Sequence, residues 1–405
     1  MNPVHPCSHT NSYAKFPSGG SPSPAVRRAR LGVPRRSGMN NFSPSRRSFL
    51  RATAFAGLAA GLAACGTPGG SSPSSPSGAT KLTMFHWAGA QGTVPKQVGE
   101  AFAKANGVDL SYIEGTNADT FPKLVSSVQI NPDNPLLNLG FFNPQSFAQG
   151  SASDLWLPVP DSVTNADKVN SAYRIADRKG AYLVMDAMGL VYSKKAFPDG
   201  PPKSWMELFD SAHKGKVTTW DAPSFSVNAL PVISKLNGGS EADFQPGIDV
   251  FGRAARDGQF RGFISSLDAL RQQLVSGEVV IAPGFQGVAE PWIKAGDPIG
   301  FAVPEEGVMA FPEGFQIVKG STDAQVQAAA KLMNDLFDPA RVSAYCAATG
   351  TIPLVDGATL APEHADRPSF QLSTVEGAIK LDWNALVGSL KDATTAWNND
   401  VKANI

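Results

Sequence analysis

The chain from residue 81 onward is predicted to adopt an α/β fold that begins with an α/β lobe whose sheet is largely parallel. Strand-like and helix-like segments alternate in the order β-α-β-α-β between residues 82 and 142, an order typical of parallel strands joined by helices. No later segment reaches the roughly 18 apolar residues of a membrane-spanning helix, and no internal repeat is found. The remaining length suits one large domain or two lobes.

Hydrophobic spacing, together with Gly and Pro signals, places the first elements. In chain order they are a strand at 82–85, a helix from about Thr93 to Gly107, a strand at 108–112, a helix at 117–129 and a strand at 136–142. Thr93 is the expected cap of the first helix.

The later elements are placed by helix-capping residues and by residues that end helices and strands. They are a helix opened by a Ser204–Glu207 capping box, a strand at 217–220, a helix from Ser266 to Gly277, a strand at 279–282 with a loop at 283–287, and helices at 322–337 and 339–348.

The stretch SRRSFLRATAFAGLAAGLAACG, residues 45–66, is unlike the rest of the chain. An arginine pair precedes a short apolar run, as in an export signal, and the run is shorter than the roughly 20 residues that cross a bilayer. Arg46 and Arg47 resemble the twin-arginine export signal. Residues 62–66 resemble the bacterial lipobox, in which the cysteine, here Cys65, is lipidated.

These features divide the amino-terminal part into three segments. Residues 1–38 are interpreted as an upstream extension, 39–65 as the twin-arginine and lipoprotein signal, and 66–80, rich in Gly, Ser and Pro, as a flexible tether. Met1 and Met39 are both candidate starts, and a general-secretion route is the alternative to twin-arginine export. The mature protein is expected outside the cell, lipid-anchored to the outer face of the cytoplasmic membrane or periplasmic.

Charge is distributed unevenly. Residues 1–64 hold nine basic residues and no acidic one, so the remainder has 26 basic against 35 acidic residues, a net charge of −9. This disfavours nucleic acid as a partner, because such binding rests on Lys and Arg contacts to phosphate. Cys346 lies in an apolar helical pattern and is interpreted as buried filler. Neither a metal nor a cofactor is expected.

Candidate ligand-binding residues follow the strands, because ligands of open α/β sheets bind beyond the carboxyl ends of their strands. These residues are Trp87, Asn143, Asp221, Phe285 and Gln286. Aromatic groups with a few polar ones are typical of a binding pocket.

Three segments resemble a known family. KSWMELFDSAHKGKVTTWDAPS, LVSGEVVIAPGFQGVA and KAGDPIGFAVPEEG are similar to segments of the solute-binding lipoproteins of ABC importers, in the branch that includes spermidine/putrescine-binding proteins. The resemblance covers most of residues 81–405. It implies a two-lobed periplasmic-binding-protein-like fold of type II, with crossings near 183–191 and 307–318, a ligand cleft between the lobes, and hinge closure on the ligand.

The resemblance also implies site residues. Trp87 matches a tryptophan after the first strand, Asp221 an acidic ligand contact, and Phe285 a position near a cleft tryptophan. Glu313 falls near an aspartate at the second crossing, with a one-residue offset. In the polyamine branch, aromatic rings cover the alkyl chain and carboxylates bind the ammonium ends, a pairing that a desolvated cation requires.

The chain also departs from that pattern. Ser224 stands where a second carboxylate is expected, Asn143 replaces a Ser/Thr-Tyr pair, and WAGAQG lacks the tyrosine expected after Trp87. Asp186, at the first crossing, could supply a charge or hydrogen-bond the backbone at the hinge, and the hinge role is favoured.

These observations predict a monomeric, lipid-anchored binding component of an ABC importer, with a permease and its cytoplasmic ATPase as partners. The expected ligand is a small amine or polyamine-like cation. The alternatives are a ligand-sensing lipoprotein, a binding protein for a zwitterion, phosphonate or sugar, and an enzyme on the same fold. The enzyme is disfavoured because HExxH, GxSxG, P-loop and CxxC motifs are absent.

Overall fold

One sheet organises the part of the chain that the structure describes. The computed structural model describes residues 78–221 and 225–405. Within them, eleven strands form the sheet. They are β1 (Lys81–Trp87), β2 (Asp109–Gly115), β3 (Leu139–Phe142), β4 (Trp156–Leu157), β5 (Ala181–Ser193), β6 (Val217–Thr219), β7 (Phe260–Phe263), β8 (Ile281–Phe285), β9 (Ile299–Ala302), β10 (Met309–Val318) and β11 (Ile352–Pro353).

The strand order separates two parallel groups by two long antiparallel strands. The order is β2-β1-β3-β10-β5-β8-β6-β7, with β4 on β10 and with β9 and β11 on β5. β1 runs parallel to β2 and β3, and β6 runs parallel to β7 and β8. β10 and β5 are antiparallel to each other and to the neighbouring β3 and β8. The predicted α/β fold is therefore confirmed, and β5 and β10 join its two groups of strands.

Helices connect and cover the strands. They are α1 (Ala90–Asn106), α2 (Asn117–Ile130), α3 (Pro144–Ala152), α4 (Leu230–Leu236), α5 (Gln245–Arg256), α6 (Leu267–Ser276), α7 (Gln286–Lys294), α8 (Asp323–Leu336), α9 (Pro339–Thr349), α10 (Leu372–Glu376) and α11 (Trp383–Ala396). Short 3₁₀ turns link several of them.

Most predicted caps are confirmed. Ser204 and Glu207 form the capping box, although it opens a 3₁₀ turn. The Ser266 side chain caps α6, which ends at the left-handed Gly277. Asp338 separates α8 from α9 and caps the second of them. The side-chain and glycine signals at these termini are strong because they satisfy backbone groups that the helix leaves unpaired.

Two predicted boundaries are wrong. α1 begins at Ala90 after Gly89, so Thr93 lies inside it and is not its cap. Residues 283–285 continue β8, and Gln286 opens α7, so the predicted loop at 283–287 does not form. Gly284 is needed for close packing here, because a Cβ at this position would come within 2.8 Å of the Val191 side chain. From sequence alone, such a glycine is interpreted as a turn signal.

Two large hydrophobic clusters both draw on residues of the two long strands, β5 and β10. The first includes Leu82, Phe141, Val184 and Phe315, and the second includes Met188, Phe285, Phe311 and Trp397. The partly buried Trp87 packs against both clusters. β5, β10 and the Trp87 side chain at the end of β1 therefore contribute to both clusters.

The amino-terminal predictions lie outside the described residues. Arg46, Arg47 and Cys65, with the extension, signal and most of the tether, precede residue 78, and Ser224 falls in the gap at 222–224. Across the described ranges, no helix has both the length and the apolarity that a membrane span requires. Cys346 is buried, at 1% exposure, as predicted.

Candidate ligand-binding site

Trp87 lies at the end of β1, where it contacts residues of both clusters. Its ring meets that of Phe141 edge-on, with centroids 5.6 Å apart. The indole N–H is buried and has no hydrogen-bond partner among the described residues. A buried indole N–H ordinarily has a partner, so Trp87 offers one unused donor beside an aromatic surface.

Asn143 follows β3 and caps α3. Its side-chain oxygen accepts a hydrogen bond from the Ser146 N–H at 2.8 Å, and its own N–H donates to Asn117 Oδ1 at 2.6 Å. The side chain is 8% exposed. The capping role explains why an asparagine is found here, and it commits the side-chain oxygen to the helix.

Asp186 lies in the middle of β5 and binds the start of α7. Its Oδ1 accepts hydrogen bonds from the Ala187 N–H at 2.9 Å and from the Gly287 N–H at 3.0 Å. A Cβ on Gly287 would come within 2.9 Å of Asp186 Oδ2, so only glycine allows this approach. Burial raises the pKa of Asp186 to about 7, against the lowering effect of the two backbone hydrogen bonds.

Glu313 lies in β10 beside a β-bulge. The pairing with β5 shifts between Glu313 and Gly314, which leaves Leu183 as the extra residue, and bulges of this kind redirect a side chain. Glu313 is 1% exposed, and neither carboxylate oxygen has a hydrogen-bond partner among the described residues. Burial first, and then the nearby Asp186 carboxylate, raise the pKa of Glu313 well above its usual range.

Tyr345 joins this group from α9. Its hydroxyl is buried without a partner in the described chain, and its ring packs 5.8 Å from that of Phe141. Burial, Glu313, Cys346 and Asp186 together raise its pKa well above the usual range. Sequence reasoning missed Tyr345, because its helical spacing indicates only a buried position.

Phe285 and Gln286 approach the same region from the end of β8. The Phe285 ring lies 4.8 Å from that of Phe311, which in turn lies 6.3 Å from Trp383. Gln286 is 1% exposed, and its amide nitrogen donates to the Gly350 carbonyl at 3.4 Å. Its side-chain oxygen has no partner among the described residues. This end of β8 therefore combines an aromatic surface with a buried acceptor.

Asp221 is bound by the carboxyl-terminal segment. Its carboxylate accepts a hydrogen bond from Trp397 Nε1 at 3.1 Å and forms an ion pair with Lys402. Ser224, predicted as a neighbouring contact, lies outside the described residues. The role of Asp221 in ligand binding stays a prediction, and a ligand that used it would compete with Lys402.

The sheet register brings several of these candidates together. Phe311 pairs with Asp186, Phe285 pairs with Met188, and Glu313 pairs with Val184. Because paired residues and alternate residues of one strand share a face, Asp186, Phe285 and Glu313 face the same side. Gln286 follows directly after Phe285. Trp87 and Asn143 lie at the ends of β1 and β3, which pair with each other. Asp221 is bound elsewhere, by Lys402.

Contacts also link the elements on the two sides of this region. The Ser226 N–H donates to Gln145 Oε1 at 2.9 Å, and α3 packs against α11. No group of three or more His, Cys, Asp or Glu side chains within residues 78–221 and 225–405 could hold a metal ion.

Comparison with known families identifies the class of protein. The profile of the bacterial extracellular solute-binding proteins matches residues 97–371. The chain therefore belongs to this family, as the sequence resemblance predicts.

Solved structures show the same fold at low sequence identity. An ABC transporter protein from Clostridium perfringens has a TM-score of 0.65 at 18% identity, covering 79% of this chain and 99% of that one. A spermidine/putrescine ABC transporter substrate-binding protein from Streptococcus pneumoniae has a TM-score of 0.62 at 14% identity, covering 79% of this chain and 99% of that one. A periplasmic binding protein from Actinobacillus pleuropneumoniae, with fructose-6-phosphate bound, has a TM-score of 0.63 at 15% identity, covering 80% of this chain and 99% of that one. A comparison with curated proteins gave no match.

Proposed function

We propose that the protein is the substrate-binding component of an ABC importer and captures a small organic cation with an amine group. Membership of the extracellular solute-binding family supports the binding role. The importer role is supported by structural neighbours described as ABC transporter proteins. The ligands named for those neighbours differ, so the cation must be argued from this chain's own site.

Capture is proposed to occur by closure of two lobes around the ligand. The two hydrophobic clusters would be the lobe cores, and β5 and β10, close to the predicted crossings, would be the hinge strands. Trp87, which packs against both clusters, and the hydrogen bond between Ser226 and Gln145 are contacts that would form or break as the lobes move.

The Glu313 carboxylate is the observation that carries the preference for a cation. It is buried beside Asp186, and neither of its oxygens has a partner in the described chain. A buried carboxylate is costly unless a positive charge or hydrogen bonds compensate it. The rings of Phe285 and Phe311, on the same face of the sheet as Glu313, and that of Trp87, at the end of β1, are proposed to cover the apolar part of an organic amine, and an aromatic face attracts its ammonium group by about 0.5–2 kcal/mol.

The ion pair of Asp221 favours a small amine over a long polyamine. Lys402 already neutralises the Asp221 carboxylate, so an ammonium group of a ligand long enough to reach Asp221 would have to displace Lys402 there. Asn143 and Gln286 are proposed to bind the polar remainder of the ligand. Ser224 is kept as a proposed contact from the sequence.

A thermal-shift panel on the purified protein tests the ligand class. Its members are putrescine, spermidine, 4-aminobutyrate, aminoethylphosphonate, glycine betaine, sugars and ferric ion. A ligand at about 100 times its Kd stabilises the fold by about 2.7 kcal/mol, which raises Tm by a few degrees. We expect a shift with a small amine that Glu313→Gln abolishes and Glu305→Gln, an exposed matched control, retains. A shift only with sugars or phosphonates would overturn the amine preference.

The lipid anchor is proposed from Cys65, with export directed by Arg46 and Arg47. In a bacterial host, Cys65→Ala should move the protein from the membrane fraction to the soluble exported fraction. Arg46→Lys combined with Arg47→Lys should block export if the twin-arginine route is used. Membrane association that persists in the Cys65→Ala variant would contradict the anchor.

A further inference from the structure

Asp186 and Glu313 bring two carboxyl groups to the same face of the central strands. Asp186 pairs with Phe311, two residues before Glu313, and Glu313 pairs with Val184, two residues before Asp186. The two acids are therefore diagonal neighbours across an antiparallel pair, within reach of each other's side chains. Their exposures are 3% and 1%, so water screens their charges little.

Within the described residues, no positively charged side chain compensates the charges of Asp186 and Glu313. Neither carboxylate forms an ion pair there. β5 supplies the Ala187 N–H, and α7 supplies the Gly287 N–H, both to Asp186 Oδ1. α9 contributes the hydroxyl of Tyr345 and the thiol of Cys346, both of which interact electrostatically with Glu313.

The charged cluster around Glu290 is already satisfied. Glu290, also on α7, binds His364 at 3.1 Å and Arg367 at 2.5 Å. Both partners are therefore committed to a different carboxylate. The Asp186–Glu313 pair is left with polar neutral groups and one backbone-bound oxygen.

Two uncompensated carboxylates in such a site cannot both be ionised, because like charges at short range in a buried position repel strongly. The two backbone N–H groups favour the ionised form of Asp186. Glu313 has no such bonds, so it is the better place for a proton. A proton on Glu313 also lets the pair carry a single negative charge.

We propose that the Asp186–Glu313 pair holds one proton when no ligand is bound, and that the ammonium group of the ligand replaces this proton on binding. The second part rests on the proposed function. Binding then releases one H⁺ to solvent. Before binding, the pair holds one proton and carries one negative charge. After binding, it holds no proton and carries two negative charges, one of which the ammonium group neutralises. The net charge of the site therefore does not change.

The shared proton is testable without any ligand. Burial raises the pKa of both acids above their unfolded values, so their protonated forms stabilise the fold at low pH, and this stability is lost as the pH rises through the folded pKa values. For each group, the unfolding constant should rise by up to tenfold per pH unit above about pH 4. Urea unfolding from pH 5 to 9 measures this change in the unfolding constant.

Neutral variants isolate the pair. Glu313→Gln removes the proton-carrying group, and Asp186→Asn keeps an oxygen for both N–H donors. Relative to each variant, the wild-type unfolding constant should increase at least tenfold between pH 5 and pH 8, whereas Glu305→Gln should follow the wild type throughout. A wild-type-to-variant ratio that stays constant over this range would overturn the shared proton.

The exchange is tested with putrescine as probe. Calorimetry in buffers of different ionisation enthalpy should detect about one proton released per putrescine at pH 8, where Asp186, with a pKa of about 7, is mostly ionised, and the affinity for putrescine should rise from pH 6 to pH 8. Glu313→Gln should show no proton release. Putrescine binding without proton release would overturn the exchange. Failure of putrescine to bind would overturn the exchange and the amine preference together, while the ligand-free pH dependence would still stand on its own result.

Discussion

At the scale of single residues, Gly287 fixes the approach of α7 to the acidic pair. Its N–H binds Asp186, and a Cβ there would come within 2.8 Å of the Thr349 carbonyl oxygen as well as 2.9 Å of Asp186 Oδ2. Replacement by alanine forces these groups apart. Gly287 therefore allows the start of α7 to approach and bind the buried Asp186 carboxylate.

Gly287→Ala is expected to destabilise the protein by about 1–3 kcal/mol, the usual cost of overpacking. Denaturant unfolding measures the change. Gly388→Ala is the matched control, because Gly388 lies on an exposed face of α11 with nothing within 4 Å of a new Cβ. It should instead stabilise by about 0.5–1 kcal/mol. Equal effects of the two changes would contradict the role of Gly287.

Sequence reasoning identified some residues of the candidate site and missed others for a physical reason. The strand-end rule placed Trp87 and Phe285, since hydrophobic runs mark where strands end. Glu313 came only from a resemblance, because a lone acid in an apolar strand has no local signal. Tyr345 was missed because a helix pattern shows that a side chain is buried but not which distant acid it faces.

At the scale of elements, α9 carries Tyr345 to the acidic pair and depends on its cap. Asp338 Oδ1 accepts hydrogen bonds from the Ala340 N–H at 3.0 Å and from the Arg341 N–H at 3.4 Å. Asp338→Ala should lower stability by about 1 kcal/mol, because it leaves these helix donors unsatisfied.

Asp335→Ala provides the control for the cap. It removes the same charge three residues earlier, from a partly exposed ion pair with Arg341 at 3.5 Å, and such pairs contribute about 0–1 kcal/mol. Chemical unfolding of both variants should separate them. An Asp335→Ala effect larger than that of Asp338→Ala would show that charge, and not capping, stabilises this junction.

Element types were predicted well, and their boundaries less well. The predicted start at Ser266 and the predicted break between residues 337 and 339 are correct because the stabilising contacts, made by the Ser266 and Asp338 side chains, are local. α1 begins without a side-chain cap, so nothing in the sequence marked Ala90 as its start. The end of β8 was misplaced because long-range pairing with β5 overrides the local preference of Pro283 and Gly284 for a turn.

At the scale of the whole molecule, buried and half-buried tyrosines make the stability of the fold decrease at high pH. Burial raises the pKa of Tyr112 and Tyr173 to about 12 and raises the pKa of Tyr182, Tyr192 and Tyr345 above the usual value. Because the folded pKa values are raised, the stability that these groups contribute is present below about pH 10 and is lost as the pH approaches 12.

An alkaline titration checks this. Tyrosinate absorbance at 295 nm and loss of secondary structure by circular dichroism should rise together between about pH 10 and 12. Tyr345→Phe should shift the unfolding transition to higher pH. Most tyrosines ionising near pH 10 while the circular dichroism stays native would contradict the burial of their hydroxyl groups.

The second hydrophobic cluster is assembled from residues as far apart in the chain as Met188 and Val401. Trp397, near the carboxyl end, is fully buried in it. This core cannot be completed until almost the entire chain has been made, and contacts between such distant residues slow folding. The first cluster draws on residues up to Ala378, so neither core can be completed early in synthesis, and the nascent protein is expected to expose apolar surface until its last helix is available.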